Sequence, residues 1–326
     1  TEGYAKYAEA EKLMLEDGYL APIYQKASAY LEKDYVSGIV NNSWGADYTY
    51  TYADVDKDDK VLNLATSSDI PTLDLSKATD QQSFQTANTT MEGLTRVDAE
   101  GKVQPGVAES WETSEDGLTW TFKLRKNSTW SNGTPVTAHD FEYSWKRTLT
   151  PETASEYSYI MADIVGSSTK EIEANGVDGV GVKALDDYTL EVKLNRPVAY
   201  FAELVSFQVF FPQNQAFVES CGDAYGSAAD KQLYNGPFTL TSWKMEDQFT
   251  MEKNPNYWDA ANVKLNKINT KVVKDTGAEV SLYEDGQIDR AILSSDYVDK
   301  YKDSKELKTR EVASIFMLQI NGGNHK

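Results

Sequence analysis

The sequence predicts a mixed α/β protein built from two compact units. Its 326 residues are enough for about two domains of roughly 150 residues each. Short strands with alternating apolar residues are interleaved with helical patterns and hairpin turns, an order typical of mixed α/β folds. Because 40% of the residues are hydrophobic, the chain can bury a sizeable core.

The pattern at the start of the chain predicts a helix followed by an extended segment. Residues 1–17, TEGYAKYAEAEKLMLED, are mostly good helix formers, and Gly18 suits the position that ends a helix. The next run, YLAPIYQKASAYLE, is aromatic, and Pro22 indicates an edge strand or a strand start. After it, NNSWGADYTYTYADVDK is rich in turn residues and ends in acids.

Strand and hairpin signals begin with VLNLATS and are strongest after Pro105. In LTWTFKL, Trp120 and Phe122 share one face and Thr119 and Thr121 share the other. Asp116-Gly117 supplies the turn before this strand. A second hairpin is predicted in VGVKALDDYTLEVKL.

A helix is predicted in VTAHDFEYSWKRTL. Thr137 and Asp140 have the spacing of a capping box, with Asp in place of Glu. Phe141, Trp145 and Leu149 fall on one helical face, which predicts a buried side.

The last third of the chain predicts further strands and one short helix. PFTLTSW and QFTMEKN form a hairpin pattern, INTKVV and IDRAIL are strand-like, and GAEVSLYEDG is helical. In TREVASIFMLQI, Val312, Phe316, Leu318 and Ile320 alternate onto one side. This alternation by itself predicts that Phe316 lies in the core.

Charge and cysteine content exclude several classes of protein. The formal net charge is −19, so a nucleic-acid partner is not expected, because phosphate binding needs a basic surface. Cys221 is the only cysteine, which excludes an intrachain disulfide and a Cys-rich metal site. The apolar runs are too short to span a membrane. We expect that any export signal has been removed or was never part of this sequence.

The sequence offers little support for an enzyme, a metal site or a cofactor. His139 and His325 are the only histidines, and we see no G-x-S-x-G, Walker or G-x-G-x-x-G motif. DVDKDD starts like an EF-hand loop but lacks its later Gly and Glu, so it is interpreted as a solvated junction. A hydrolase stays a weak alternative.

One long region resembles a known family. A-E-S-W, D-G-L-T-W-T-F-K-L-R, W-S-N-G-T-P-V-T-A and D-F-x-Y-S-W-x-R stand in order within residues 105–151. They are similar to the signature region of the oligopeptide- and dipeptide-binding branch of bacterial ABC-transporter solute-binding proteins. LYNGPFTLTSW with NPNYWD, and DTGAEVSLYEDGQIDRA, resemble two further blocks. The resemblance implies a periplasmic-binding-protein-like fold of type II (cluster C).

The order of the segments departs from that family. Residues 1–56 resemble its C-terminal end but come first here, so we expect a circularly permuted chain. We further expect an engineered single lobe, with a mixed-sheet domain I (1–91 and 214–326), a smaller α+β domain II (92–213), and no domain III. Termini that lie close in space can be joined in this way.

The resemblance also implies which residues contact ligand. They belong to the loop after the first strand, the segment from Leu73-Asp74 to Gln81, the T-A-S turn and the crossing strands. The expected contacts are Thr66, Ser67, Ser68, Thr79, Gln81, Tyr157, Phe316, Met317, Gln319, Tyr24 and Lys26. Tyr157 has the alternative of covering apolar surface, and Lys26 replaces an aromatic residue expected there.

The function implied by the resemblance is non-enzymatic binding of an oligopeptide. The full-length parent would be extracytoplasmic, periplasmic or a cell-surface lipoprotein, and would deliver ligand to a membrane permease. The missing complementary lobe or a second copy is a further candidate partner. The alternative within the superfamily is a carbohydrate- or metal-chelate-binding protein, although Trp120, Trp130 and Trp145 are predicted to lie in the core.

Overall fold

The computed structural model describes residues 2–18, 20–42, 45–98 and 100–319. The helices are α1 (Glu2–Glu16), α2 (Gln81–Thr90), α3 (Ala138–Leu149), α4 (Thr169–Asn175), α5 (Phe201–Leu204), α6 (Gln215–Cys221), α7 (Thr276–Glu284) and α8 (Ser295–Tyr301). The strands are β1 (Leu20–Glu32), β2 (Val36–Ser37), β3 (Val40–Asn41), β4 (Tyr48–Thr49), β5 (Asp54–Val55), β6 (Val61–Thr66), β7 (Thr95–Val97), β8 (Val103–Pro105), β9 (Ala108–Thr113), β10 (Thr119–Leu124), β11 (Val182–Asp186), β12 (Thr189–Lys193), β13 (Phe238–Lys244), β14 (Gln248–Lys253), β15 (Lys267–Val272), β16 (Arg290–Leu293) and β17 (Leu307–Gln319).

The chain divides into two compact units. One comprises Thr1–Glu32 with Ile292–Lys326, and the other comprises Lys33–Ala291. Both helices and strands are present, so the predicted mixed α/β class is confirmed. The predicted assignment of 1–91 and 214–326 to one domain and 92–213 to another stays a prediction.

In the smaller unit, the long strands β1 and β17 pair antiparallel. The register places Leu20 opposite Gln319 and Leu31 opposite Leu307, with irregularities between Pro22 and Tyr24 and between Gln25 and Ala27. Gly18 has a φ of 72°, which supports its predicted place after α1.

The larger unit contains two four-stranded sheets. One is antiparallel, with the order β11-β12-β10-β9, and the other is mixed, with the order β13-β14-β15-β6. In the mixed sheet β6 runs parallel to β15, from Val61 opposite Lys267 to Thr66 opposite Val272. β6 is the outermost strand of this sheet, and its parallel pairing with β15 requires a crossover connection instead of a hairpin.

The core of the antiparallel sheet is aromatic. Phe122 on β10 and Trp145 on α3 are fully buried, and Trp130 is buried as well. The Trp145 indole nitrogen donates to the Phe210 carbonyl at 2.8 Å, which satisfies its buried N–H. The predicted capping box of α3 is confirmed. The Thr137 side chain accepts from the Asp140 backbone N–H, and the Asp140 side chain accepts from the Thr137 backbone N–H. Both the capping box and the buried face that the sequence predicts for α3 are therefore present in the structure.

The segment between residues 33 and 57 packs within the larger unit. Val36, Tyr50, Ala53 and Val55 are buried in one cluster with Leu62 of β6. This cluster also includes Leu64, Phe238, Phe249 and Ile268.

A buried carboxylate, that of Asp289, joins this segment to β6. Its Oδ1 accepts from the Tyr35 hydroxyl at 2.7 Å and from the Lys57 ammonium at 2.9 Å. Its Oδ2 accepts from the Asn63 backbone N–H at 2.7 Å. A carboxylate that is 1% exposed is tolerated here because charged and neutral donors satisfy both of its oxygens.

A second buried carboxylate, that of Glu92, follows α2. It accepts from the Tyr257 hydroxyl and, at 2.6 Å, from the Trp258 indole nitrogen. The Arg96 guanidinium lies 3.6 Å away. Burial raises the pKa of Glu92, although Arg96 and both hydrogen bonds act in the opposite direction.

One expectation about local structure is wrong. Phe316 is not a core residue: its side chain is 46% exposed in β17, and its neighbour Leu318 is 62% exposed. Their alternation is real, but it does not lead to burial.

Candidate functional site

The predicted ligand loop follows β6 and leads towards α2. Thr66 is the last residue of β6, and its hydroxyl donates to Gln82 Oε1 at 2.8 Å. Ser67 and Ser68 are exposed. The loop thus presents two exposed serine side chains next to Thr66, whose hydroxyl is hydrogen-bonded to α2.

The start of α2 fixes the other end of this segment. Asp80 caps the helix, since its side chain accepts from the Ser83 N–H at 2.9 Å. Gln81 is exposed and its Nε2 donates to the Gly45 carbonyl at 2.9 Å, and the neighbouring Thr79 is also exposed. The structure therefore brings Thr66, Thr79 and Gln81 together around the first turn of α2.

Tyr157 packs against the same helix. Its ring centroid lies 5.3 Å from that of Phe84 on α2, in an edge-on arrangement, and 5.9 Å from that of Phe207. Tyr157 is half-buried, so it does cover apolar surface and also presents part of its ring outward. This position is compatible with ligand contact and with covering apolar surface, the two alternatives predicted for Tyr157.

Tyr159 is a neighbour that the sequence reasoning missed. Its ring centroid is 5.7 Å from that of Tyr157, and the side chain is 67% exposed. The repeat of Tyr at a spacing of two in the EYSY stretch was the only signal for it. Together the two tyrosines form what we call the aromatic ledge.

The predicted contacts from the crossing strands lie in the smaller unit. Tyr24 and Phe316 stack across β1 and β17, with ring centroids 4.8 Å apart and an interplanar angle of 5°. Tyr24, Met317 and Gln319 are exposed. Lys26 lies in β1, and its side chain is outside what the structure describes.

The segment between Leu73 and Gln81 is held by an internal ion pair. Leu73 and Asp74 are both buried, and the Asp74 carboxylate binds the Arg147 guanidinium of α3 at 2.7 Å. Asp74 is therefore not available to a ligand, whereas Thr79 and Gln81 are.

A cavity beside the other part of α2 is too small for a peptide. It measures about 80 Å³, and its lining includes Asn88, Met91, Phe207 and Gln208. Sites for drug-sized ligands usually measure about 300–1,000 Å³. The candidate site is thus an open wall around α2 rather than this cavity.

The described parts of the chain contain no cluster of three His, Cys, Asp or Glu side chains arranged to hold a metal ion. Among the described helices, none combines the length and apolar character needed to cross a bilayer.

Comparison with known proteins gives a consistent result. Residues 102–325 match the family described as "Bacterial extracellular solute-binding proteins, family 5 Middle". The oligopeptide-binding protein OppA of Bacillus subtilis is 37% identical over 249 residues, which are 75% of this chain and 46% of that protein. A dipeptide-binding protein of Lactococcus lactis is 38% identical over 72% of this chain and 44% of its own length.

Solved structures give the same fold. The substrate-binding domain of an oligopeptide ABC transporter from Bacillus anthracis superposes with a TM-score of 0.75 at 46% identity, covering 76% of this chain and 48% of that one. Listeria monocytogenes OppA bound to peptide gives a TM-score of 0.74 at 41% identity, covering 76% and 49%. This confirms the predicted periplasmic-binding-protein-like fold. The chain spans about half the length of these relatives, and it belongs to the family 5 bacterial extracellular solute-binding proteins.

Proposed function

We propose that this chain is the peptide-binding part of an ABC importer's substrate-binding component. The observation that carries the proposal is the wall around α2, where the aromatic ledge and the exposed loop of Ser67 and Ser68 both border one helix. Aromatic surface can cover ligand side chains, while hydroxyl and amide groups can bind a peptide backbone. Relatives named for oligopeptide and dipeptide binding support this ligand class.

The partners and location follow from the same family. Its relatives include substrate-binding domains of oligopeptide ABC transporters and proteins named as periplasmic. We therefore assign the full-length parent to the outside of the cytoplasmic membrane, as a periplasmic protein or a cell-surface lipoprotein. There it would pass peptide to a permease and carry out no catalysis itself.

We also propose that the chain is circularly permuted, so that residues 1–56 correspond to the C-terminal end of the family. The antiparallel pairing of β1 with β17 supports a shared domain for these two segments. The burial of Val36 and Val55 beside Leu62 supports the same for residues 33–57. A complementary lobe, or a second copy of the chain, would then be its natural partner.

Binding of peptide to this chain alone should be weak. A single wall leaves most of a ligand in water, so few contacts offset an association cost of roughly 4–15 kcal/mol. We expect a dissociation constant of about a millimolar or weaker. In an NMR titration with a pool of short peptides, shifts should be confined to Ser67, Ser68, Gln81 and the aromatic ledge.

Matched variants make this titration decisive. Tyr157→Ala should reduce the shifts, whereas Tyr200→Ala, which removes an exposed tyrosine that is not part of the aromatic ledge, should not. Micromolar binding would show that this wall suffices on its own and that the expectation of weak binding is wrong. One relative is named as a probable deoxycholate-binding protein, so shifts with deoxycholate or sugars but none with peptides would overturn the peptide assignment.

A further inference from the structure

A buried fork joins the candidate site to α3. Asp74 Oδ1 accepts from Arg147 Nη1 at 2.7 Å, and Asp74 Oδ2 accepts from Arg147 Nη2 at 2.7 Å. The two side chains are 3% and 16% exposed. A bidentate pair of this kind fixes orientation as well as distance, which a lysine ammonium cannot do.

Polar side chains complete the fork. Arg147 Nη1 also donates to Gln213 Oε1 at 2.8 Å, and Gln213 Nε2 donates to the hydroxyls of Ser76 at 2.8 Å and Ser144 at 3.0 Å. The Ser76 hydroxyl lies 2.8 Å from that of Thr148. Buried networks in which the members have partners are rigid, because each lost contact would leave a buried group unsatisfied.

Charge balance favours the ionised pair. Burial would lower the pKa of Arg147, but the hydrogen bonds and charge of Asp74 outweigh it, so this pKa is raised. The ring of Tyr225 also lies against the guanidinium, with its centroid 5.3 Å away.

Asp74 in turn shapes the segment that leads to the site. Its Oδ1 accepts from the Ser76 N–H at 3.1 Å, and its carbonyl accepts from the N–H groups of Lys77 and Ala78 at 2.9 Å. Directly after this turn come Thr79 and the Asp80 cap of α2. A side chain at Gly226 would bring its Cβ within 2.4 Å of the Asp74 nitrogen, so the turn is also enclosed from that side.

We propose that Arg147 is a positioning residue, which acts through Asp74 to fix Thr79, Gln81 and the first turn of α2 in their ligand-facing arrangement. The inference rests on the proposed function for the meaning of that arrangement. The network joins segments that the sequence assigns to different domains, so it makes α3 and the ligand-facing turn move together.

Hydrogen exchange by mass spectrometry tests the proposal without any ligand. Arg147→Met removes the fork and keeps most of the apolar stem. The matched control is Arg196→Met, since Arg196 also forms a bidentate pair with Asp163, through Nε at 2.7 Å and Nη2 at 2.9 Å, but is 59% exposed. We expect amides 76–84 to exchange about tenfold faster or more in Arg147→Met and unchanged in the control.

Two comparisons separate positioning from loss of stability. Arg147→Lys keeps the charge without the fork, so it should give intermediate exchange at 76–84, and it decides the matter if Arg147→Met does not fold. Unchanged exchange at 76–84, or an equal increase there and in α7 and β10, would overturn the proposal. Peptide-induced shifts at Gln81 are measured separately, so failure of peptide binding would leave the exchange result intact.

Discussion

Strands β10 and β17 carry the same alternating apolar pattern but lie in different surroundings. On β10, Trp120, Phe122 and Leu124 are buried, within a four-stranded sheet and beside the aromatic residues of the core. On β17, Phe316 and Leu318 are largely exposed. Alternation therefore predicts which side chains share a face, but burial also depends on what covers that face.

The largest difference between the two strands should appear on truncation of an aromatic ring. Phe122→Ala should lower the free energy of unfolding by about 3–5 kcal/mol, because it leaves a cavity in a closely packed core. Chemical denaturation monitored by circular dichroism measures the change. A loss below about 1 kcal/mol would show that the core around β10 is able to collapse, and would contradict the comparison.

Tyrosine hydroxyl groups provide a second comparison. Tyr35→Phe removes the 2.7 Å hydrogen bond to the buried Asp289 carboxylate. It should cost about 1.5–3 kcal/mol of unfolding free energy, since hydrogen bonds to charged groups are the stronger ones. Tyr24→Phe on the exposed β1 should stay within about 0.5 kcal/mol. Equal losses for the two variants in denaturant titrations would argue against a special contribution from Asp289.

The buried Glu92 predicts a pH dependence that exposed carboxylates should not share. Burial raises its folded-state pKa above the ordinary value of 4.5 for a glutamate. The folded state therefore binds the proton more tightly than the unfolded state, and this contribution to stability is present below about 4.5 and lost as the pH rises through the folded-state pKa. Relative to Glu92→Gln, the wild-type protein should lose stability as the pH increases from 4 towards 8. A difference in denaturation midpoint between the wild-type protein and Glu92→Gln that does not change with pH would contradict this prediction.

The smallest effect on stability should come from polar substitutions on β17. Phe316→Ser with Leu318→Ser should change the unfolding free energy by about 1 kcal/mol or less, because the two side chains are already 46% and 62% exposed. The same double variant should reduce self-association at high concentration, since exposed apolar surface tends to find partners. Sedimentation velocity at high concentration measures the self-association of both proteins. A wild-type chain that stays monomeric there would contradict the prediction that β17 promotes self-association.

Local chemistry made much of the larger unit predictable. The capping box of Thr137 and Asp140, the buried face of α3 and the strand LTWTFKL depend on neighbours within a few residues, which the sequence displays directly. The ion pair of Asp74 with Arg147 was not predictable, because the partners are 73 residues apart. Tyr159 was missed for the related reason that exposure depends on the surrounding packing. For the ligand contacts, the resemblance indicated candidate positions, and their roles stay predictions.

The position of Asp289 has a consequence for the order in which the chain can fold during its synthesis. Its contacts with Tyr35, Lys57 and Asn63 span 254, 232 and 226 residues. At roughly 5–20 residues per second, a ribosome needs on the order of 10–50 s to make the intervening chain. During that time the Asp289 carboxylate, which accepts hydrogen bonds from Tyr35, Lys57 and the Asn63 amide, has not yet been synthesised. Residues 35–63 therefore reach these native hydrogen bonds late, even though they leave the ribosome well before Asp289.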